Sequence, residues 1–189
     1  KNMIRKKYPK NKSNQQKKNF FKKKKLDIVN KSYEKKTLSV NDMSPNKPYT
    51  PDLQDLYRLY QFIILNKRTT ILEFGTGWSS LIFYKALSEL KKKNLKKTTQ
   101  LRRNNPFELF IVDSEKKYLN ISKNRIKNYS KLQSSDEKCK FHYLYSDVEM
   151  IQYNYNIATE YKKIHNCNPD FIYLDGPDQF KVKKKINGI

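Results

Sequence analysis

The sequence predicts an α/β domain, a doubly wound and mostly parallel sheet, on three observations. Four short apolar segments rich in β-branched and aromatic residues recur along the chain. Runs with helical spacing lie between them, and the first apolar segment stops abruptly at a glycine turn. Strands that alternate with helices return to one sheet in parallel, through right-handed crossovers that place helices on both faces.

Ahead of the first strand lie three segments. Residues 1–25 hold twelve Lys/Arg and no acid, +12 of a formal net charge of +23 over 189 residues. The segment is rich in Asn and Gln and poor in apolar residues, with Phe20 and Phe21 its one aromatic pair. Too little apolar surface is available to offset ordering entropy, so residues 1–37 read as a disordered basic tail. Such a tail suits electrostatic attachment to nucleic acid or an anionic membrane, or is a solvated extension without a dedicated partner. Residues 38–52, with Pro45, Pro48 and Pro51, read as a linker that cannot be regular helix. Asp52 then caps a helix whose Leu53, Leu56, Tyr57, Tyr60, Ile63 and Ile64 share one face and which ends near Asn66.

The domain proper, 53–189, reads as an incomplete sheet domain. Residues 69–74 form a buried parallel strand, and Ser79 or Ser80 caps a helix over 81–90. Residues 91–105, with seven Lys/Arg and no acid, read as a basic insertion. A second strand covers 107–113, a helix about 115–129, a loop 133–138, and a third strand 140–145 that leads into Ser146-Asp147. Residues 149–165 read as a weakly periodic helix, and 169–175 as a fourth strand closed by Gly176-Pro177.

Ligands of open α/β sheets bind beyond the C-terminal strand ends, near the switch in strand order. Glu73 with the Gly75/Gly77 turn, Asp113, Asp147 and Asp175 stand at those four ends. Apolar strands have no packing need for ionised groups there, although any one acid alone would pass as a helix cap. The Gly-x-Gly turn lets backbone approach a nucleotide while the next helix presents unpaired N–H groups.

The run Leu72-Glu73-Phe74-Gly75-Thr76-Gly77-Trp78-Ser79 resembles motif I of class I S-adenosylmethionine-dependent methyltransferases, acid-x-Gly-x-Gly-x-Gly. The likeness extends over about residues 50–180. It implies a Rossmann-like domain that holds S-adenosyl-L-methionine against Glu73, Gly75, Thr76, Gly77, Trp78 and Ser79. It further implies that Asp113 binds the ribose hydroxyls and Asp147 the adenine amino group. Asp175, in Tyr173-Leu174-Asp175-Gly176-Pro177, matches motif IV and would face the transferring methyl group. Charge supports this choice: a pyrophosphate disfavours the acid at Glu73, whereas a cationic methionyl group tolerates it. A dinucleotide-binding loop would also carry glycine where Ser80 stands. Phe74 reads as core, and Trp78 as pocket wall or packing.

Three departures accompany the likeness. Ser79 replaces the third glycine. Glu73 and Asp113 lie 40 residues apart, against ~20 in a compact βαβ unit. The fifth strand and terminal hairpin of the family are missing, and the chain starts at Lys1 and stops at Ile189, so it reads as a fragment.

The implied reaction is methyl transfer to a small-molecule or sugar-like acceptor. Asp175 would act as base toward a hydroxyl, or alternatively bind Mg²⁺ with Asp178 as the nearest further oxygen ligand. Motif IV lacks the Asn/Asp-Pro-Pro-aromatic run of base-amino methylation and any cysteine for attack on pyrimidine carbon. Two other readings stay open: a nucleic-acid-binding or nucleic-acid-modifying protein that uses the tail and insertion, and a nicotinamide-dependent oxidoreductase. Cys139 and Cys167, with His142 and His165 nearby, match no common zinc spacing and read as reduced thiols of a cytoplasmic protein. No apolar stretch approaches the ~18 residues of a transmembrane helix.

Overall fold

The computed structural model of the protein describes residues 7–35, 49–98, 105–178, 182 and 186. Along the chain run α1 (Asn14–Lys23), α2 (Asp27–Glu34), α3 (Leu53–Leu65), β1 (Thr70–Phe74), α4 (Trp78–Thr98), β2 (Glu108–Asp113) and α5 (Lys116–Ser130). A 3-10 turn (Ser135–Glu137), β3 (Lys140–Tyr145), β4 (Val148–Tyr153), β5 (Asn156–Tyr161) and β6 (Phe171–Leu174) follow.

β1, β2, β3 and β6 form one parallel sheet in the order β3-β2-β1-β6. The chain steps outward from β1 to β2 to β3, then returns to pair β6 with the other side of β1. The switch point therefore lies between β1 and β6. Asp170 locks this return at the opposite end of the strands. Its carboxylate accepts from the amides of Thr69 (3.0 Å) and Thr70 (2.9 Å) and from Thr69 Oγ1 (3.2 Å).

The alternation of strand side chains divides the sheet into two faces. Ile71, Leu109, Ile111, Phe141, Tyr143, Phe171 and Tyr173 pack into the large core with α3, α4 and α5. Residues Leu81 to Leu87 of α4 include six apolar residues at 0% exposure, because neighbouring elements enclose the middle of that helix on several sides. Leu72, Phe110 and Val112 point the other way and form a small second cluster with Phe74, Leu144, Tyr161 and Cys167.

Helices on both faces were expected; the second face instead carries a hairpin. Residues 149–165, read as a helix, form most of β4 and all of β5, paired antiparallel with Tyr153 opposite Asn156. The two-residue turn places Asn154 and Tyr155 at φ 48° and 63°. That double left-handed turn usually carries glycine, and its absence hid the hairpin.

The basic N-terminal segment departs from expectation as well. Residues 14–34 contain two helices rather than a disordered tail. Ser13 and Gln16 form a reciprocal capping box at the start of α1. Phe21, Leu26 and Val29 are all fully buried in the main core. Phe20 meets the rings of Tyr57 and Tyr60 edge-on, both at 5.0 Å. Average composition misses this because four apolar residues on two short helices and the turn between them suffice once α3 supplies the facing surface. The helix expected over 81–90 likewise continues through much of the basic stretch to Thr98. Most of the proline-containing linker and residues 99–104 of the insertion fall outside the described residues. Asp52 caps α3 as expected, accepting from the amides of Gln54 and Asp55. No helix of the described residues is long and apolar enough to cross a membrane.

Docking of the N-terminal helices makes a direct prediction. Phe21→Ala removes a fully buried ring and should lower unfolding free energy by about 3–5 kcal/mol, read as a drop in the urea midpoint. An unchanged midpoint would mean that the segment is not part of the folded core.

Candidate functional site at the end of the first strand

β1 runs straight into the glycine turn, and the tightest contact there is between backbones. Gly75 has φ +85°, and a Cβ on it would lie 2.9 Å from Asp175 C and O and from Gly176 N. The loop is thereby pressed against the end of β6, where Asp175 N also donates to Phe74 O (2.8 Å). Gly176 closes the same seam from the other strand, its own Cβ position being 3.0 Å from Gly75 Cα. Gly77 differs. A Cβ there would meet nothing nearer than Ser79 Oγ at 3.9 Å.

Glu73, expected beside the donor, lies beneath the loop at 0% exposure. Its two carboxyl oxygens accept from Ser79 Oγ (2.5 Å) and Ser80 Oγ (2.6 Å). Ser80 in turn lies 3.0 Å from Thr76 Oγ1 and accepts from Gly77 N at 3.4 Å. The serine in the third glycine position thus gains a specific job, holding the acid that holds the loop. Burial pushes the Glu73 carboxyl up to about 8, against the two serine hydrogen bonds and with help from the nearby Asp175 and Asp113.

Asp113, at the end of β2, accepts from Thr76 N and Glu115 N, each at 2.7 Å. One carboxylate therefore joins the glycine loop to the start of α5. Burial raises its affinity for a proton, opposed by those two amides. Trp78 opens α4, and its ring carries the Arg125 guanidinium at 3.7 Å from the centroid. Arg125 Nη1 also donates to Gly77 O (2.9 Å), so the loop is gripped from α5 as well. Burial lowers the Arg125 guanidinium to about 10. Nothing local in the sequence marks Arg125 as a clamp.

The remaining acids occupy the rim. Asp175 is exposed at the end of β6, and its carboxyl is raised by partial burial and by Asp55. Asp55, in the first turn of α3, is a neighbour that sequence spacing did not reveal. Asp178 is exposed three residues further on. Asp147 is exposed two strands away from β1 and accepts from Tyr145 Oη (2.8 Å). Among the described residues no three His, Cys, Asp or Glu side chains gather as metal ligands.

Tyr161, the last residue of the hairpin, reaches into the seam. Its ring lies 5.4 Å from Phe74, and its hydroxyl is 3.1 Å from the Cβ position of Gly176. That buried hydroxyl has no hydrogen-bond partner among the described residues. Nothing in the sequence singles it out, because residues 149–165 carry a weak helical spacing and no turn signal for the hairpin.

The buried acid predicts a pH signature. The native state keeps the Glu73 proton to about pH 8, whereas an unfolded glutamate releases it near pH ~4.3. The native state binds more protons across this window, so this group's contribution to stability falls as pH rises from about 4.5 to about 8. Glu73→Gln should remove that component, and urea unfolding of both proteins at pH 5 and pH 8 reads it. Parallel losses in the two proteins would show that Glu73 is ionised in the fold.

No protein-family model matches the chain, and neither the curated proteins nor the solved structures contain a match. What stands is an α/β fold with a four-stranded parallel sheet and a glycine loop at its switch point.

Proposed function

We propose that the glycine loop at the switch point binds S-adenosyl-L-methionine and that the protein is a methyltransferase of Rossmann-like architecture acting on a small-molecule or sugar-like acceptor. The contrast between the two loop glycines carries the reading. Gly75 is required by its φ and by the backbone of β6; Gly77 has no positive φ, and a Cβ there would make only an ordinary contact with Ser79 Oγ. A glycine that its backbone angles and surroundings do not demand, immediately before a helix on the switch point, fits a backbone approached by a ligand.

The groups fit the donor in kind and in reach. Asp175, the loop, Asp113 and Asp147 end four adjacent strands, a row of about 14 Å at ~4.8 Å per strand. That length accommodates an amino-acid part, a ribose and a base laid across the strand ends. The unpartnered Tyr161 hydroxyl is a donor in search of an acceptor beside the loop. Glu73 acts from below as a positioning group, because both its oxygens are engaged with the serines.

When bound, the sulfonium donor supplies an electrophilic methyl carbon for in-line displacement. The protein's part is alignment and, for a hydroxyl acceptor, proton removal. Asp175 stands at the rim with its carboxyl raised by burial and by Asp55, the direction that suits a base. A magnesium-assisted variant through Asp175 and Asp178 lacks a third ligand among the described residues, so no step runs through a metal.

Two glycine variants test the reading. Gly77→Ala should fold with stability within about 0.5 kcal/mol of the parent yet lose at least about tenfold in S-adenosylhomocysteine affinity by calorimetry. Gly75→Ala should cost more than about 2 kcal/mol of stability, from the left-handed φ and the backbone clash. Asp113→Ala should abolish binding. Tight NAD binding with no S-adenosylhomocysteine binding would replace this reading by the oxidoreductase one.

A further inference from the structure

At the far end of α4 a second surface is assembled from parts distant in sequence. Segments 22–25 and 91–97 together contain nine lysines and no acid. The fold brings them to one place. Lys24 Nζ pairs with Glu89 Oε2 at 2.7 Å, and Tyr129 Oη donates to Lys24 O at 3.4 Å, which fixes the α1–α2 turn against α4 and α5. Glu137, in the 3-10 turn, is held below the usual carboxylate range by its Lys92 hydrogen bond, with Lys85 and Lys25 adding to the effect. The turn after α1, the last turns of α4 and the 3-10 turn therefore share one electrostatic neighbourhood.

A cleft of about 670 Å³ opens there, with Lys91, Lys93, Lys97, Asn94, Ser134 and Asp136 among its walls. Lys92 and Lys96, and Lys93 and Lys97, are i,i+4 pairs, and all four side chains are exposed. Such pairs stand about 6 Å apart on a helix, a spacing close to that of successive phosphates along one strand. Lys22, Lys23 and Lys25, which flank the Lys24–Glu89 pair in sequence, are exposed as well.

We propose that this surface binds the phosphate backbone of double-stranded nucleic acid without reading sequence. The chemistry selects that occupant. Lysine ammonium groups are point charges suited to phosphate rather than to bidentate base recognition. Neither segment contains an aromatic residue on which an unpaired base could stack. The cleft walls include no apolar side chain that could enter a bilayer. The surface is independent of the glycine loop, since residues 93–97 lie roughly 20–30 Å from Trp78 along the helix at 1.5 Å per residue.

The test is fluorescence anisotropy of the whole chain with a labelled duplex of about 20 base pairs, between about 50 and 200 mM KCl. About four phosphate contacts should give a slope of log affinity against log salt near −3 to −4. K93Q/K96Q/K97Q should reduce that slope by about 2–3, and K22Q/K25Q by about 1–2. Either set alone suffices should the other unfold. The control K117Q/K123Q/K163Q removes as much charge from exposed positions elsewhere and should leave the slope unchanged. Equal losses in control and test variants would reduce the effect to generic polycation binding and overturn the proposal. So would stronger binding to vesicles of about 30% phosphatidylserine than to the duplex, lost in the same lysine variants.

Discussion

Glu73 sits where a charge is least welcome, at the end of a buried strand and at 0% exposure, and the glycine loop is organised on top of it. Its oxygens receive the hydroxyls of Ser79 and Ser80 in the first turn of α4, so strand, loop and helix are tied through one carboxyl. Arg125 and Asp113 grip the same loop from outside, at Gly77 O and Thr76 N. A loop held from below by an acid and from the side by a guanidinium and a carboxylate presents its amides in a fixed arrangement. Preorganisation of that kind is what a nucleotide-type ligand requires, because it removes ordering cost at the moment of binding.

α4 carries this order to the rest of the molecule. Its buried centre packs aromatic rings at steep angles: Phe83 lies 5.8 Å from Phe171 and 5.3 Å from Tyr173, and Tyr84 lies 5.6 Å from Phe141. These edge-to-face pairs lock the helix to β3 and β6 at the two sides of the sheet. Further along, Glu89 collects Lys24 and Lys85 at 17% side-chain exposure, which docks the N-terminal helices. One helix thus links the glycine loop at its start with a lysine-rich surface at its end.

The second sheet face is built more thinly. The hairpin and the segment after it supply Tyr161, His165 and Cys167 over Phe110, Val112 and Phe74. His165 lies 3.1 Å from the carbonyl of Ile111, with burial lowering its pKa. The return of the chain to β6 across this face puts the Tyr161 hydroxyl beside the Gly75–Gly176 seam.

The sequence by itself determined the sheet: four apolar strands bounded by turns, the Asp52 cap, and a glycine turn with an acid before it. These are local signals, written in periodicity and in residues with few conformational options. The strand ends and their acids were legible for the same reason. Only the tertiary structure decided what each acid touches. It buried Glu73 under Ser79 and Ser80, set Asp55 beside Asp175, and brought Arg125 onto Trp78, all contacts between residues whose spacing carries no mark of them. It also ordered a lysine-rich segment that composition assigned to solvent. Phe20, Phe21, Leu26 and Val29 are too few to fold alone, and become sufficient when α3 offers them a facing surface. The hairpin β4–β5 stayed hidden because its turn uses Asn154 and Tyr155 at left-handed angles without glycine, a choice that pairing of the strands makes possible and local propensity does not announce.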